Sequence, residues 1–167
     1  MPDDPPLLLR PAAEPDLAWI VALVTGDAAA PFLSTTAADG LPDALAAGEL
    51  VVAEAAGEPV GAARVATVNR RSRIAAVQTL VVEPAARGRG LGAAILRAIA
   101  RDAFARGIHR VEGEVYGFNA AALRSFAAAG FTREGVRRQA YDRHGAWQDG
   151  VCFGLLAGEP PATRARS

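Results

Sequence analysis

The stretch "RGRGLGAAILRAIARDAFARG", residues 87–107, places three glycines at alternate positions directly before a strongly helical run. Glycine loses more conformational entropy on ordering than any other residue, so this helix start needs a compensating interaction. The usual compensation is a ligand that approaches the backbone closely, typically a phosphate bound to N–H groups at the positive end of a helix. The stretch therefore predicts a phosphate-bearing ligand, and an ordinary loop before an amphipathic helix is the alternative.

Composition limits the classes of function. The chain has 167 residues, of which 51% are hydrophobic and 22% are charged, as in an ordinary globular protein. Acidic and basic residues balance at 18 each, so net charge gives no reason to expect a nucleic acid or a membrane as partner. All the basic residues are arginine, which excludes a lysine nucleophile, a Schiff base and a P-loop lysine.

The sequence carries no metal-binding or targeting signal that we can identify. The lone cysteine, Cys152, cannot form a disulfide within the chain, and His109 and His144 are too far apart to predict a metal site. The N-terminus "MPDDPPLLLRP" is acidic and interrupted by prolines, unlike a signal or transit peptide, and no apolar stretch approaches membrane-spanning length. We therefore expect a cytoplasmic protein without a metal.

The spacing of apolar residues predicts the element order β-α-α-β-β-β-α-β-α-β-β. Because strands follow one another directly in the middle, hairpins mix with crossovers, and the fold class is α/β with a mixed (α+β) sheet flanked by helices. We expect one domain over residues 7–157, between a flexible segment 1–6 and a disordered tail 158–167. The predicted strands are Leu7–Ala12, two runs around the turn 55–59, Ile74–Val82, 109–117, 132–141 and 146–156, and the helices follow Pro15, Asp39, Gly90 and Asn119.

Two kinds of phosphate ligand fit the glycines. Gly88, Gly90 and Ala93 match the G-x-G-x-x-G/A spacing of dinucleotide-binding folds, and Glu112 falls where the ribose-binding acid would lie. The context of that match is poor, because the segment "EPAAR" separates the strand from the first glycine and three hairpin-type strands precede it. The other ligand is a pyrophosphate group, held by the backbone N–H groups of residues 87–92 in the field of the helix N-terminus.

Two separated motifs bear on this choice. Arg87, Gly90 and Gly92 follow "Val82-Glu83-Pro84", and a second block further along consists of Asn119, Ala122, Phe126, Gly130 and Phe131. Together they resemble the GNAT superfamily of N-acetyltransferases, which has Q/R-x-x-G-x-G/A after a strand ending in V-x-P, and later N-x-x-A, an aromatic residue and G-F. The resemblance extends over about residues 7–156 and includes the predicted order of elements.

The resemblance implies a GNAT-type fold with acetyl-CoA as co-substrate. Residues 80–82 would pair with the pantetheine arm as if it were an added strand, and residues 88–93 would hold the pyrophosphate, with Arg89 adding a charge. Asn119 would bond the pantetheine region, or act as a plain helix N-cap, or do both. The implied cofactor-binding residues are Leu80, Val81, Val82, Arg87, Gly88, Arg89, Gly90, Leu91, Gly92, Ala93, Asn119 and Phe126.

The implied reaction is a direct attack by a neutral amine on a thioester. At pH 7, deprotonating an α-amine with a pKa near 8 costs about 1.4 kcal/mol, and an amine with a pKa near 10 costs about 4 kcal/mol, so a base is expected. Strand alternation puts Glu112, Glu114 and Tyr116 on one face. Glu114 lies five residues before Asn119, the spacing of the catalytic glutamate in the ribosomal-protein alanine acetyltransferases, and is our first candidate for the base; Glu83 is the second.

The proton donor is less clear from the sequence. Many members of the family have tyrosine at the aromatic position of the second block, where this chain has Phe126, which cannot donate a proton. Either Tyr116, which we take as the first candidate, or Tyr141, or water would protonate the leaving thiolate. The remaining alternative is a GNAT-fold module that binds acetyl-CoA with little or no turnover.

The acceptor is a small-molecule or peptide amine, and the sequence does not separate small amines, amino acids and protein N-termini. It should bind between the first two helices and the final hairpin. Acidic and aromatic residues in those segments would suit a cationic amine. They are Trp19, Asp27, Phe32, Asp39, Tyr141 and Trp147. The sequence leaves open whether the protein forms a homodimer.

Overall fold

The computed structural model describes residues 7–159 and has the predicted order of strands and α-helices. The predicted segment 1–6 and residues 160–167 of the predicted tail lie outside the described residues. Three short 3-10 turns, at residues 14–16, 30–32 and 84–86, were not predicted. The elements are β1 Leu8–Pro11, α1 Leu17–Thr25, α2 Leu41–Ala46, β2 Leu50–Ala55, β3 Glu58–Asn69, β4 Ile74–Val82, α3 Leu91–Ala105, β5 Arg110–Tyr116, α4 Ala120–Ala128, β6 Thr132–Arg143 and β7 Ala146–Leu156.

The strands form one sheet in the order β1-β2-β3-β4-β5-β7-β6. Every neighbouring pair in it is antiparallel except β4 and β5, which are parallel and are joined by the crossover helix α3. The prediction of a mixed sheet is therefore confirmed.

Helices cover both faces of the sheet. Val52 and Ala53 are neighbours in β2 and are both fully buried, because the first faces α1 and α2 and the second faces α3 and α4. Ile95 and Leu96 of α3 are also fully buried. Burial of this apolar surface on two faces is the main term that stabilises the sheet. No helix among residues 7–159 is both long and apolar enough to cross a membrane.

The sheet opens between its two parallel strands. β4 and β5 pair only over residues 74–77 and 110–113. Beyond that point residues 79–82 pair with β3 alone, and residues 114–116 pair with β7 alone. The facing backbone edges of the two strands are therefore left apart, and the gap between them is where the candidate site lies.

Candidate active site

A cleft of about 750 Å³ follows the gap between β4 and β5. Its walls are the last residues of β4, the starts of α3 and α4, and the end of β5, and the segment 28–34 after α1 covers part of it. Glu114, Tyr116 and Tyr141 line one part of it. Of the predicted cofactor-binding residues, the cleft is lined by Leu80, Val81, Val82, Arg87, Gly88, Gly90, Leu91, Gly92, Ala93, Asn119 and Phe126; Arg89 is exposed outside it.

The glycine turn at the start of α3 presents unpaired donors. Gly88 and Gly90 have φ values of +76° and +74°, in the left-handed region that favours glycine. None of the N–H groups of residues 88–93 donates a hydrogen bond to another described residue; the first that does is Ala94, to the Gly90 carbonyl at 3.1 Å. Six consecutive N–H groups at a helix N-terminus suit a pyrophosphate group.

The third glycine of the run also contacts the neighbouring helix α4. A Cβ on Gly92 would lie 2.7 Å from the Ser125 hydroxyl oxygen of α4. The close approach of α3 and α4 therefore favours glycine at this position, since a larger residue would force the Ser125 side chain to move. This contact adds to the predicted role of Gly92 in the pyrophosphate turn and does not replace it, because Gly92 also lines the cleft.

The Arg87 side chain connects two segments at the edge of the cleft through hydrogen bonds. Its Nε donates to the Val82 carbonyl at 3.1 Å, and its Nη1 donates to the Ala28 carbonyl at 3.0 Å. One guanidinium therefore ties the end of β4 to the segment after α1 that covers the cleft. The sequence motif marked the position of Arg87 but gave no sign of this contact, which joins residues 59 positions apart.

Asn119 caps α4 as predicted. Its Oδ1 accepts a hydrogen bond from the Ala122 N–H at 3.1 Å. The side-chain amide nitrogen makes no hydrogen bond to a described residue, and Asn119 lines the cleft. The same side chain can therefore cap the helix and donate to a ligand.

Phe126 is a core residue at the wall of the cleft. It is 4% exposed, and its ring packs against Phe131 and Phe153 with centroid distances of 5.0 and 5.1 Å. The ring tip abuts the backbone of Gly113, where a Cβ would lie 2.5 Å from Phe126 Cζ. Glycine at position 113 therefore leaves room for the Phe126 ring.

Glu114 occupies the cleft face of β5, as the predicted alternation requires. Its side chain is 26% exposed, and both carboxylate oxygens accept from Arg137 Nη1, at 2.9 and 3.2 Å. The Tyr141 hydroxyl lies 3.4 Å from the same nitrogen. Burial and the neighbouring Glu114 carboxylate raise the pKa of Tyr141 above its ordinary value. Glu114 and Tyr141 therefore line the cleft, and Arg137, which is outside the lining, connects the two side chains from β6.

A bulge in β6 brings Tyr141 to this cluster. Arg137 lies opposite Gly150 of β7, but Tyr141 lies opposite Gln148, so three residues of β6 face the single residue Asp149. The Gln139 N–H donates to Asp149 Oδ1 at 2.8 Å, and Gln139 adopts a φ of +47°. In a regular ladder residue 139 would lie opposite Gln148. The bulge moves Tyr141 into that position, on the same face as Arg137.

Tyr116 belongs to an aromatic cluster beside the carboxylate. Its ring stacks on Phe118 at 5.4 Å, meets Tyr141 edge-on at 5.1 Å, and has the Arg143 guanidinium 5.1 Å from its centroid. Arg143 also donates to backbone carbonyls of the covering segment, those of Ala30, Pro31 and Leu33. The final hairpin therefore holds the covering segment in place, which the sequence did not indicate.

Several predicted residues lie elsewhere. The Glu83 carboxylate accepts a hydrogen bond from Trp19 Nε1 at 3.2 Å and does not line the cleft. Of the six residues proposed for the acceptor, Phe32 and Tyr141 line the cleft, whereas Trp19, Asp27, Asp39 and Trp147 do not. Among the described residues Glu114 is the sole carboxylate in the lining, so the expected set of acidic groups is not assembled there.

Comparison with known proteins agrees with this geometry. The model of the acetyltransferase (GNAT) family matches residues 19–131. RimJ of Mycobacterium smegmatis, solved with CoA-disulfide, superposes with a TM-score of 0.77 at 24% identity, over 94% of this chain and 85% of that one. The spermidine N-acetyltransferase of Vibrio cholerae, solved with CoA and spermine, gives 0.77 at 20% identity, over 90% and 95%. Salmonella typhimurium yncA, solved with acetyl-CoA, gives 0.73 at 23% identity, over 96% and 99%.

These findings confirm both the resemblance and the predicted fold. The family match covers more than half of the chain and includes the glycine turn, Glu114 and Asn119. The chain therefore belongs to the acetyltransferase (GNAT) family of acetyl-CoA-dependent N-acetyltransferases.

Proposed function

We propose that this chain transfers the acetyl group of acetyl-CoA directly to a primary amine, with Glu114 as the base. The observation that supports the proposal best is continuity along one cleft. Six N–H groups at the glycine turn have no partner among residues 7–159 and are followed by the open edge of β4, and the same cleft includes the Glu114 carboxylate. This order matches a ligand with a pyrophosphate, an amide-bearing arm and a reactive end.

The residues fit acetyl-CoA as follows. The turn at residues 88–93 would bind the pyrophosphate through backbone N–H groups, assisted by the positive end of α3. The edge of residues 80–82 that pairs with no strand would hydrogen-bond the pantetheine amides in the manner of an added strand. Asn119 would donate its free amide N–H to the same arm. Bound acetyl-CoA supplies the acetyl group as a thioester.

Glu114 would prepare the acceptor. Because only a neutral amine can attack, the carboxylate accepts a proton from the ammonium, directly or through one water. The amine nitrogen then forms a bond to the acetyl carbonyl carbon while the carbon–sulfur bond breaks. The acylated nitrogen loses a second proton, which replaces the proton that the cleft donates to the leaving thiolate. The products are an N-acetyl amine, CoA with its thiol protonated, and one proton that leaves Glu114 for solvent.

Two tyrosines line the cleft, and the hydroxyl of either could protonate the leaving thiolate. Tyr116 is the first candidate from the sequence, and its ring is fixed between Phe118 and Arg143. Tyr141 has the better supported geometry, because its hydroxyl lies 3.4 Å from Arg137 Nη1, which also bonds the Glu114 carboxylate. We therefore propose Tyr141 as the donor and Tyr116 as part of the aromatic wall of the acceptor site.

The test is to offer the purified protein acetyl-CoA and a panel of amines and to measure acetyl transfer through the release of the CoA thiol. The variant Glu114→Gln should lower kcat at neutral pH by about 10²–10⁴-fold, with partial recovery at high pH, where the free amine is abundant. Glu112→Gln is the matched control, because Glu112 lies on the same face of β5 but outside the cleft lining. Unchanged rates in Glu114→Gln would remove this residue from the role.

A binding module without turnover is the second candidate function. It is favoured by the absence of a hydroxyl at Phe126 and by the ion pair that already occupies Glu114. Binding of acetyl-CoA with no thiol release for any amine in the panel would support this candidate and contradict the enzyme.

A further inference from the structure

We infer that the acceptor is an α-amino acid in its zwitterionic form, recognised by the ion pair between Glu114 and Arg137. The inference rests on the proposed function and names the class of its acceptor. The base is already paired in the cleft, with Arg137 Nη1 at 2.9 Å from one carboxylate oxygen and 3.2 Å from the other. Any ammonium that approaches Glu114 must share or replace this partner.

A zwitterion is the natural complement of such a pair. An α-amino acid carries its ammonium and carboxylate on one carbon, so both charges reach Glu114 and Arg137 together. The ammonium would pair with Glu114 and the carboxylate with Arg137, and two ion pairs would replace one. The Arg137 side chain is 59% exposed, which leaves it room to turn toward a ligand, and a guanidinium binds carboxylates in bidentate geometry.

The arginines around the cleft are not equally available for this task. Arg87 donates to the Val82 and Ala28 carbonyls, and Arg143 donates to three carbonyls of the covering segment. Arg137 is bonded only to Glu114 and to the Tyr141 hydroxyl among the described residues. Arg124 also lines the cleft, but it lies on α4 next to Ser125, which contacts Gly92 of the glycine turn, and so belongs to the cofactor end. Of the arginines near Glu114, Arg137 is therefore the one that an incoming carboxylate can engage without loosening the walls of the cleft.

The charge of the lining argues against a polyamine. Within residues 7–159 Glu114 is the one carboxylate that lines the cleft, so a second ammonium on the same acceptor would meet no acid there. The N-terminus of a protein is also a poorer match, because its α-carboxyl group is an uncharged amide. Both classes would leave Arg137 displaced from Glu114 with no new partner.

The neighbouring surface indicates which side chain the amino acid carries. Phe32, Leu33 and Tyr116 line the cleft together with Glu114. These residues form an apolar and aromatic wall, which favours an aliphatic or aromatic side chain over a charged one. L-leucine and L-phenylalanine are therefore the probes that we would use.

The experiment compares each amino acid with its own amide. L-leucine and L-leucinamide differ in the carboxylate, and L-phenylalanine and its amide repeat the comparison. The amide is the less basic amine and has more of its neutral form at pH 7, so simple reactivity favours the amide. We expect the wild-type protein with saturating acetyl-CoA to show a kcat/KM at least tenfold higher for the acids. Spermidine and the peptide Leu-Gly-Gly should be used no better than the amides.

Variants assign the preference to Arg137. Arg137→Gln should remove the preference, so that the ratio of kcat/KM for L-leucine to kcat/KM for L-leucinamide falls to about one or below, whatever the variant does to the rate with the amide. Arg137→Lys, which keeps the charge, should retain part of the preference. Arg138→Gln is the control, because Arg138 is the exposed next residue in the bulge and should leave the preference intact. Acetyl-CoA affinity, measured for each variant, verifies that the fold and the cofactor site are unchanged.

The outcomes separate the two levels of the proposal. Equal or better use of amides or spermidine by the wild-type protein contradicts this inference and leaves the proposed function standing. The same contradiction follows if Arg137→Gln keeps the full preference for the acid. A protein that acetylates no member of the panel contradicts the proposed function and this inference together.

Discussion

Gly150 of β7 lies next to the Glu114 carboxylate, which occupies the space that a side chain at residue 150 would fill. A Cβ on Gly150 would lie 2.9 Å from Glu114 Cδ and 2.9 Å from Tyr141 Cε2, and closer still to a carboxylate oxygen. Gly150 is itself buried and lies opposite Arg137 in the sheet. The missing side chain therefore makes room for the proposed base and proton donor to lie side by side.

We predict that Gly150→Ala slows acetyl transfer without changing the affinity for acetyl-CoA. The new methyl group pushes Glu114 out of position, and kcat/KM should fall by about 10–100-fold, as a displacement of about 1 Å at a reacting group does. Steady-state kinetics and acetyl-CoA affinity measure the two effects separately. Gly135→Ala is the control, because a Cβ there meets nothing within 4 Å. Full activity in Gly150→Ala would show that Glu114 need not lie where the structure has it.

The two tyrosines should respond differently to loss of their hydroxyls. Tyr141→Phe should lower kcat by about 10²-fold or more, because the proposed donor is removed. Tyr116→Phe keeps the ring that packs on Phe118 and should change kcat little. The ordinary pKa of tyrosine is 10.0 and that of Tyr141 is raised, so wild-type kcat should not fall between pH 7 and 9 through loss of this proton. The opposite ranking of the two variants would return the role to Tyr116.

The fold makes a prediction away from the cleft. Asp16, before α1, accepts from two nitrogens of Arg10 in β1, at 2.7 and 2.9 Å, and these hydrogen bonds hold the pKa of Asp16 below its ordinary 3.8. A carboxyl with a lowered folded-state pKa stabilises the protein above pH 3.8, and this contribution is lost as pH falls through the folded-state pKa. Asp16→Asn should therefore destabilise by about 1–2 kcal/mol at pH 7.

Urea unfolding at several pH values checks that prediction. The free energies of unfolding of Asp16→Asn and wild type should differ at pH 7 and approach each other as the pH falls below 3.8. Asp27→Asn, at an exposed position after α1, should follow wild type throughout. A gap between Asp16→Asn and wild type that does not narrow in acid would mean that Arg10 is not the cause.

The backbone framework could be predicted from local sequence because its signals are local. β4 coincides with the predicted Ile74–Val82, since Pro84 removes a donor just beyond the strand. Asn119 caps α4 because a side-chain oxygen is needed within the first turn of that helix. The element order follows from such proline and capping residues and from the spacing of apolar residues, and the whole predicted order of strands and α-helices is confirmed.

The parts of the site that could not be predicted depend on contacts between distant segments. Arg87 and Arg143 hold the covering segment through carbonyls 59 and at least 110 positions away, and a carbonyl carries no sequence signal. The bulge at Gln139 depends on Asp149 across the hairpin. The contact between Gly92 and Ser125 depends on how closely two helices pack. In each case the sequence shows one partner without showing the other.

The measurement that tests the account most directly is a calorimetric titration with acetyl-CoA, with NADH as the control ligand. We predict micromolar binding of acetyl-CoA to the wild-type protein and no detectable binding to Gly90→Glu, which puts a carboxylate where the pyrophosphate belongs. Gly57→Glu should bind as wild type does, because Gly57 has a similar φ of +81° and equally open space in a distant turn. Binding of NADH alone, or equal binding of acetyl-CoA to Gly90→Glu and wild type, would contradict the assignment of the glycine turn.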